Sequence, residues 1–274
     1  MASTTNTDSD NNTIESDVIM DQDSFHVLAI ALPTEVERRQ HLAKMMDELG
    51  ITYSLAETSP PVAPENWPDV GYDHDKSLNM LGRDLSPAEI GCFLSHRNAW
   101  RAAAATDKPT LILEGDALLN SESISVCRAL ANRTADWELS MLYYSKCLPS
   151  VWLQRRLTED HRLVKFANRR TYCLAAYMVS PEGAKKLLTL SEHFYLPADD
   201  FVCGGWVRKD LDMYAVTPKA ASLCVHAHQS TLEEGRQKRK QRQHKKKDNS
   251  RWLRRIELFF RELGQRYRPP RKSL

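Results

Sequence analysis

The segment Phe25-His-Val-Leu-Ala-Ile-Ala-Leu32 constrains the fold most: it is β-prone, too short to span a bilayer, and of the kind buried in a parallel sheet. After it Thr34 and Glu37 form a capping-box pattern, and Leu42, Met45, Met46 and Leu49 recur at helical spacing until Gly50 stops the helix. Ile51 to Ala56 predicts a second strand. Strand, helix and strand in this order imply an α/β sheet built with right-handed crossovers.

The alternation continues downstream. Residues 58–84, rich in Pro, Asp, Asn and Gly, predict a long loop, and long loops inside domains are often functional. Ser86-Pro87-Ala88-Glu89 then supplies an N-cap, a first-turn proline and a capping-box acid, with Ile90, Phe93, Leu94 and Ala104 on one helix face. Thr110 to Leu113 predicts a buried strand, and Glu138–Tyr144, Leu163–Phe166, Tyr172–Val179 and Leu211–Val216 predict further ones. Ser180-Pro181 opens a helix through Leu190, and Pro197-Ala-Asp-Asp200 precedes a short helix ending near Arg208. No internal repeat is visible, and the pattern favours a Rossmann-like sheet flanked by helices. The absence of G-x-G-x-x-G and Walker patterns argues against dinucleotide enzymes and P-loop ATPases.

Charge divides the chain. The formal net charge is +2, yet Arg236 to Leu274 holds 16 Lys and Arg against three acids, leaving 22 basic against 33 acidic residues elsewhere. Residues 1–23 carry six acids, no Lys or Arg and no apolar h-region, so they are expected to be a disordered acidic tail and not a signal peptide. The expected organisation is this tail, a domain over residues 24–234, and a basic amphipathic helical tail over 235–274. The six cysteines are widely spaced without a C-x-x-C pair and read as reduced thiols, which makes a cytoplasmic location the expectation.

The chemistry-bearing feature is the apolar strand that ends in two acids, Leu111-Ile-Leu-Glu114-Gly-Asp116. Ligands of open α/β sheets bind beyond the carboxyl ends of strands, where carboxylates can hold a divalent cation against a diphosphate. Hard oxygen ligands favour Mg²⁺ or Mn²⁺. Taken alone, such acids equally suit a turn or a helix cap.

With its neighbours the sequence resembles glycosyltransferase family 25. The resemblance rests on Glu37-Arg38-Arg39 in the first helix, on Leu85-Ser-Pro-Ala-Glu-Ile-Gly-Cys-Phe-Leu-Ser-His96 with Trp100, and on Ile112-Leu-Glu-Gly-Asp116. It extends through Tyr172 to Leu188, with Ser180 and Gly183-Ala-Lys-Lys186, to Pro197-Ala-Asp-Asp200. It implies a GT-A fold, a UDP-sugar donor, a divalent metal and transfer with inversion. One position departs: the family usually has two consecutive Asp after the Glu, and Gly115 replaces the first. Alternation along an extended segment is expected to keep Glu114 and Asp116 on one side.

Under this resemblance Asp116 is the expected metal ligand, with Glu114 contacting the metal's waters or the donor ribose. Glu89 and His96, seven residues apart on one helix face, are donor-binding candidates. Their structural alternatives are a capping acid and a buried histidine. Arg38, with Arg39, is expected to reach the donor phosphate or base, unless it only dresses an exposed helix face. Asp199 and Asp200 begin a helix, where the macrodipole favours carboxylates, and they supply the general-base candidate. His226 and His228 offer a late metal or diphosphate ligand. The tail from Gly235 suits an anionic membrane surface better than nucleic acid. The expected activity is inverting transfer of a hexose, galactose foremost, from a UDP-sugar to a glycan or glycolipid such as lipooligosaccharide. The alternative is a non-catalytic binding protein on a degenerate transferase scaffold, motivated by Gly115 and the tail.

Overall fold

The computed structural model describes residues 24–145, 149–166, 172–204 and 210–224. The expectations for residues 1–23 and 235–274, and for His226 and His228, lie outside the described residues. Along the chain come β1 (His26–Ile30), α1 (Val36–Glu48), β2 (Ser54–Leu55), α2 (His74–Leu81), α3 (Pro87–Ala104), β3 (Thr110–Glu114), β4 (Ala117–Leu118) and α4 (Ser121–Ala131). There follow β5 (Leu139–Met141), β6 (Pro149–Arg156), β7 (Arg162–Phe166), β8 (Ala176–Val179), α5 (Pro181–Leu190), α6 (Ala198–Cys203), β9 (Met213–Thr217) and β10 (Ser222–Leu223). Among the described residues no helix is long and apolar enough to cross a membrane.

Eight strands form one mixed sheet in the order β2-β1-β3-β8-β5-β9-β7-β6, the Rossmann-like arrangement expected from the alternating pattern. β1 lies parallel to β2 and β3, and β5 parallel to β9. β8 runs antiparallel between β3 and β5. The carboxyl ends of β1, β2, β3 and β5 therefore share one edge, and the residues leading into β8 arrive at that same edge. A small ribbon, β4 against β10, closes over it.

Side chains alternate across the sheet, so each face carries its own core. Ile112, Tyr177 and Val179 pack with Ile90, Phe93 and Trp100 of α3 and with Leu187 of α5. Leu111, Leu113 and Met178 pack with Leu42 and Met46 of α1 and with Ile124 and Leu130 of α4. Both faces being covered explains why β3 is apolar at consecutive positions.

Several elements differ from expectation. α1 starts at Val36, so Glu35 and not Thr34 occupies the N-cap; its carboxylate turns back to accept from the Leu32 N–H and from Arg38. The second strand shrinks to Ser54–Leu55. The stretch 58–84 is a packed region with two 3₁₀ turns and α2, whose Asp73 cap accepts from the Lys76 N–H. Tyr72 and Phe194 anchor it, through the Asp73 N–H to Phe194 carbonyl bond and stacking of Phe194 on Phe93 at 3.9 Å. α4, β6 and the β4–β10 ribbon lie where no element is expected. The short helix α6 ends at Cys203, before Arg208.

The β2 exit is clamped to α3. Ser95 Oγ accepts from the Ser59 N–H at 2.9 Å and donates to the Gly91 carbonyl, and Asn98 donates to the Glu57 carbonyl. A Cβ on Gly91 would stand 2.5 Å from the Pro60 carbonyl oxygen, so only glycine admits this close approach. Gly91→Ala is expected to lower stability by about 1–3 kcal/mol, the usual cost of overpacking against backbone, read as a reduced urea midpoint at unchanged m.

Candidate functional site

Where β1 and β3 end side by side, the acids of the Glu-Gly-Asp sequence meet groups from both faces of the sheet. Glu114 closes β3 with the parity of Ile112, toward α3, and its Oε1 lies 3.1 Å from His96 Nε2. His96 is fully buried, and its Nδ1 lies 3.1 Å from the Tyr177 hydroxyl, which in turn accepts from Trp100 Nε1 at 2.8 Å. An indole N–H only donates and a carboxylate only accepts, which for a neutral imidazole assigns the proton directions. Tyr177 O–H donates to Nδ1, and Nε2–H donates to Glu114. Burial pushes the Tyr177 hydroxyl well above its ordinary pKa and so keeps that proton in place.

Gly115 and Asp116 form a turn rather than continued strand, so strand alternation is not what holds the two acids together. The turn is fixed by the Gly115 N–H donating to the Ile30 carbonyl and by the Cys224 N–H donating to the Asp116 carbonyl. Asp116 Oδ1 is buried and has no hydrogen-bond partner. Burial and the charge of Glu114 raise the Asp116 carboxyl to about 6, and Arg38 only partly opposes them. A buried, unpartnered carboxylate oxygen next to a second carboxylate fits a hard divalent cation, which would supply the missing partner and cancel the repulsion. The residues thus suit Mn²⁺ or Mg²⁺.

Arg38 lies over Gly115. A Cβ there would lie 3.4 Å from Arg38 Cβ and 3.3 Å from Ala31 Cβ, so the arginine stem packs over the glycine. Its guanidinium is held by Glu35 at 2.7 Å, within electrostatic reach of Asp116. Arg39 instead donates to the Ala31 carbonyl and ties α1 to the end of β1.

The lead-in to β8 adds groups that the sequence did not single out. Cys173 has φ 77°, a left-handed conformation costing a non-glycine residue about 1–2 kcal/mol, the sort of strain found at functional sites. Burial, then the charges of Glu114, Asp199 and Asp116, push its thiol well above the ordinary value, so it stays protonated. That shared influence brings Asp199, half-buried in the first turn of α6, into the same acidic neighbourhood as the β3 acids. Asp200, the next residue, points about 100° away around the helix. Tyr143, also raised by burial and by Cys173 and Asp116, lies under Lys219 Nζ at 4.7 Å. No local pattern marks Cys173 or Tyr143, but the buried indole of Trp100 requires an acceptor, which is a signal for Tyr177.

Glu89 takes the capping role. Its carboxylate receives a two-pronged contact from Arg83 at 2.8 Å on each oxygen, plus the Ser86 N–H and hydroxyl, completing the capping box of α3. Both oxygens are engaged by Arg83 and Oε2 also by the cap, the structural role expected as the alternative for this acid.

The mixed, helix-flanked sheet is consistent with a Rossmann-like glycosyltransferase fold. The sequence profile of Glycosyltransferase family 25 (LPS biosynthesis protein) matches residues 25–202, and the chain belongs to this family. It is 29% identical over 233 residues to a "Glycosyltransferase 25 family member" of Anopheles gambiae, covering 77% of this chain and 38% of that protein. A protein of the same description from Aedes aegypti is 25% identical over 236 residues, covering 77% of this chain and 37% of the other. The chain thus spans less than two fifths of the length of these curated relatives.

Burial works to raise the Glu89 pKa, but the Arg83 contacts and the Ser86 N–H outweigh it and hold the carboxyl at about 2, against an ordinary 4.5. A depressed folded-state value stabilises the fold above the unfolded pKa and loses that contribution as pH falls toward the folded one. The unfolding free energy from urea titrations should therefore fall between pH 4.5 and 2, by up to about 3 kcal/mol from this one group. Glu89→Gln should be less stable at neutral pH and should flatten that acid limb.

Proposed function

We propose that the chain is an inverting glycosyltransferase that moves a hexose, galactose foremost, from a UDP-sugar to a saccharide acceptor. The observation that carries this reading is the buried, unpartnered Oδ1 of Asp116 beside Glu114 at the carboxyl edge of the sheet. Family membership supports it, and the family's association with LPS biosynthesis favours a lipooligosaccharide-type glycan as acceptor.

Asp116 and Glu114 would hold Mn²⁺ or Mg²⁺, which when bound offsets the charge gathering on the departing nucleoside diphosphate. Arg38 contributes a fixed positive charge to the same diphosphate. The Trp100–Tyr177–His96 chain holds the Glu114 carboxylate in one orientation, so no reorganisation is needed at the moment of reaction. Asp199 accepts the proton of the acceptor hydroxyl while that oxygen bonds to the anomeric carbon from the face opposite the leaving group. The bond from carbon to diphosphate oxygen breaks, and UDP leaves with the electron pair.

In a thermal-shift titration, Mn²⁺ with UDP should raise Tm, and Asp116→Asn should abolish the Mn²⁺-dependent part. No shift with any nucleotide would instead mark a non-catalytic binding module. A screen of UDP-sugars, with UDP release as readout, identifies the donor, and UDP-galactose is expected to lead.

Asp199→Asn should lower kcat by about 10²–10⁴-fold, the usual worth of a general base, with the donor KM little changed. Asp200→Asn should retain turnover. The reverse ranking would move the base to Asp200.

A further inference from the structure

The Glu89-Ile-Gly-Cys-Phe-Leu-Ser-His96 stretch is accounted for residue by residue except at one position. Glu89 caps α3, Gly91 and Ser95 clamp the β2 exit, and His96 steadies Glu114. Cys92 has no part in any of these roles. It lies four residues before His96, and so on the same helix face. The Cys92 thiol, a His96 ring nitrogen and a Glu114 carboxylate oxygen all lie within 4.8 Å of one another.

We propose that Cys92, His96 and Glu114 form a binding site for a thiophilic divalent cation of the Zn²⁺ class, separate from the hard-cation position at Asp116 but sharing Glu114 with it. The donor set is one sulfur, one nitrogen and one oxygen, which Zn²⁺ accepts and Mg²⁺ does not. A thiolate and a carboxylate neutralise a dication, so the loaded site carries no net charge, as a half-buried position requires. The far side of the His96 ring is held by Tyr177, itself held by Trp100, which is the outer support that orients a metal-bound imidazole. Cys92 and Glu114 are both partly exposed, which leaves a solvent-facing fourth position.

The protons balance simply. Binding releases the Cys92 thiol proton to solvent, and the His96 proton moves from Nε2 to Nδ1, where the Tyr177 oxygen can accept it. The Glu114 oxygen exchanges the His96 N–H for the cation. Because Glu114 then serves the α3 side, it is withdrawn from Asp116. The consequence, which rests on the proposed function, is that Zn²⁺ antagonises Mn²⁺-supported donor binding.

The test uses the full chain, stripped with chelator and titrated with Co²⁺ alone, without nucleotide. A near-ultraviolet thiolate-to-cobalt charge-transfer band with tetrahedral visible bands is expected, saturating at a single equivalent and displaced by Zn²⁺. Cys92→Ser should abolish the charge-transfer band, whereas Cys147→Ser, Cys173→Ser and Cys224→Ser should keep it. Tyr177→Phe should weaken Co²⁺ binding by about 10-fold or more. Circular dichroism of each variant separates lost binding from lost fold, and His96→Gln gives a second ligand variant if Cys92→Ser does not fold. An oxygen-type octahedral spectrum with no charge-transfer band, or a band that survives Cys92→Ser, would overturn the proposal. The Mn²⁺ and UDP thermal shift fails independently of the cobalt band, so the two readings are told apart.

Discussion

The site depends on the parallel ladder between β1 and β3. Its register pairs His26 with Thr110 and Ile30 with Glu114, so the two strands end level, and the Gly115 N–H to Ile30 carbonyl bond carries the ladder one step into the turn. From that shared end the chain leaves β1 into α1 on one face, which delivers Arg38, while α3 on the other face delivers His96. A slip of one residue would exchange the faces of Leu111, Ile112 and Leu113 and turn Glu114 away from His96. Two buried cores, one per face, oppose such a slip, and thereby position the acids. The antiparallel insertion of β8 completes the edge by bringing Cys173 to it.

How much of this is legible in the sequence depends on how local the determining chemistry is. α3 and α5 are read correctly at their starts because Ser86-Pro87 and Ser180-Pro181 carry their own caps. The β3 acids and Arg38 are legible because a strand end and a first helical turn are local positions. α2 escapes because its only buried residue is Ser77, so no apolar periodicity announces it. Its order comes from Tyr72, Phe194 and Phe93, which are distant in sequence. The Thr34–Glu37 pattern misleads for the converse reason: Glu35, already bonded to Leu32 and Arg38, takes the cap position first. Tyr177, Cys173 and Tyr143 come to the site only through strand order, which no local motif encodes.

Gly115 changes meaning once the turn is seen. As a missing carboxylate it suggests a weakened site. As a missing side chain it is the space over which Arg38 packs, and through which α1 approaches the end of β3. Among the described residues, Arg38 is the cation that acts on Asp116, and the charges of Glu114 and Glu35 oppose it. Burial and Glu114 together outweigh Arg38 at Asp116, which is why that carboxyl is pushed up toward neutrality and not down. The imbalance has two physical remedies, a proton or a cation. A proton removes the repulsion but still leaves a buried oxygen without a partner, whereas a divalent cation removes the repulsion and supplies the partner at once. A cluster short of positive charge, and held on one side by a fully buried histidine, suits a cation, which under the proposed function accompanies an anionic diphosphate. Under the proposed function Arg38, whose charge already acts on Asp116, shares that anion's charge.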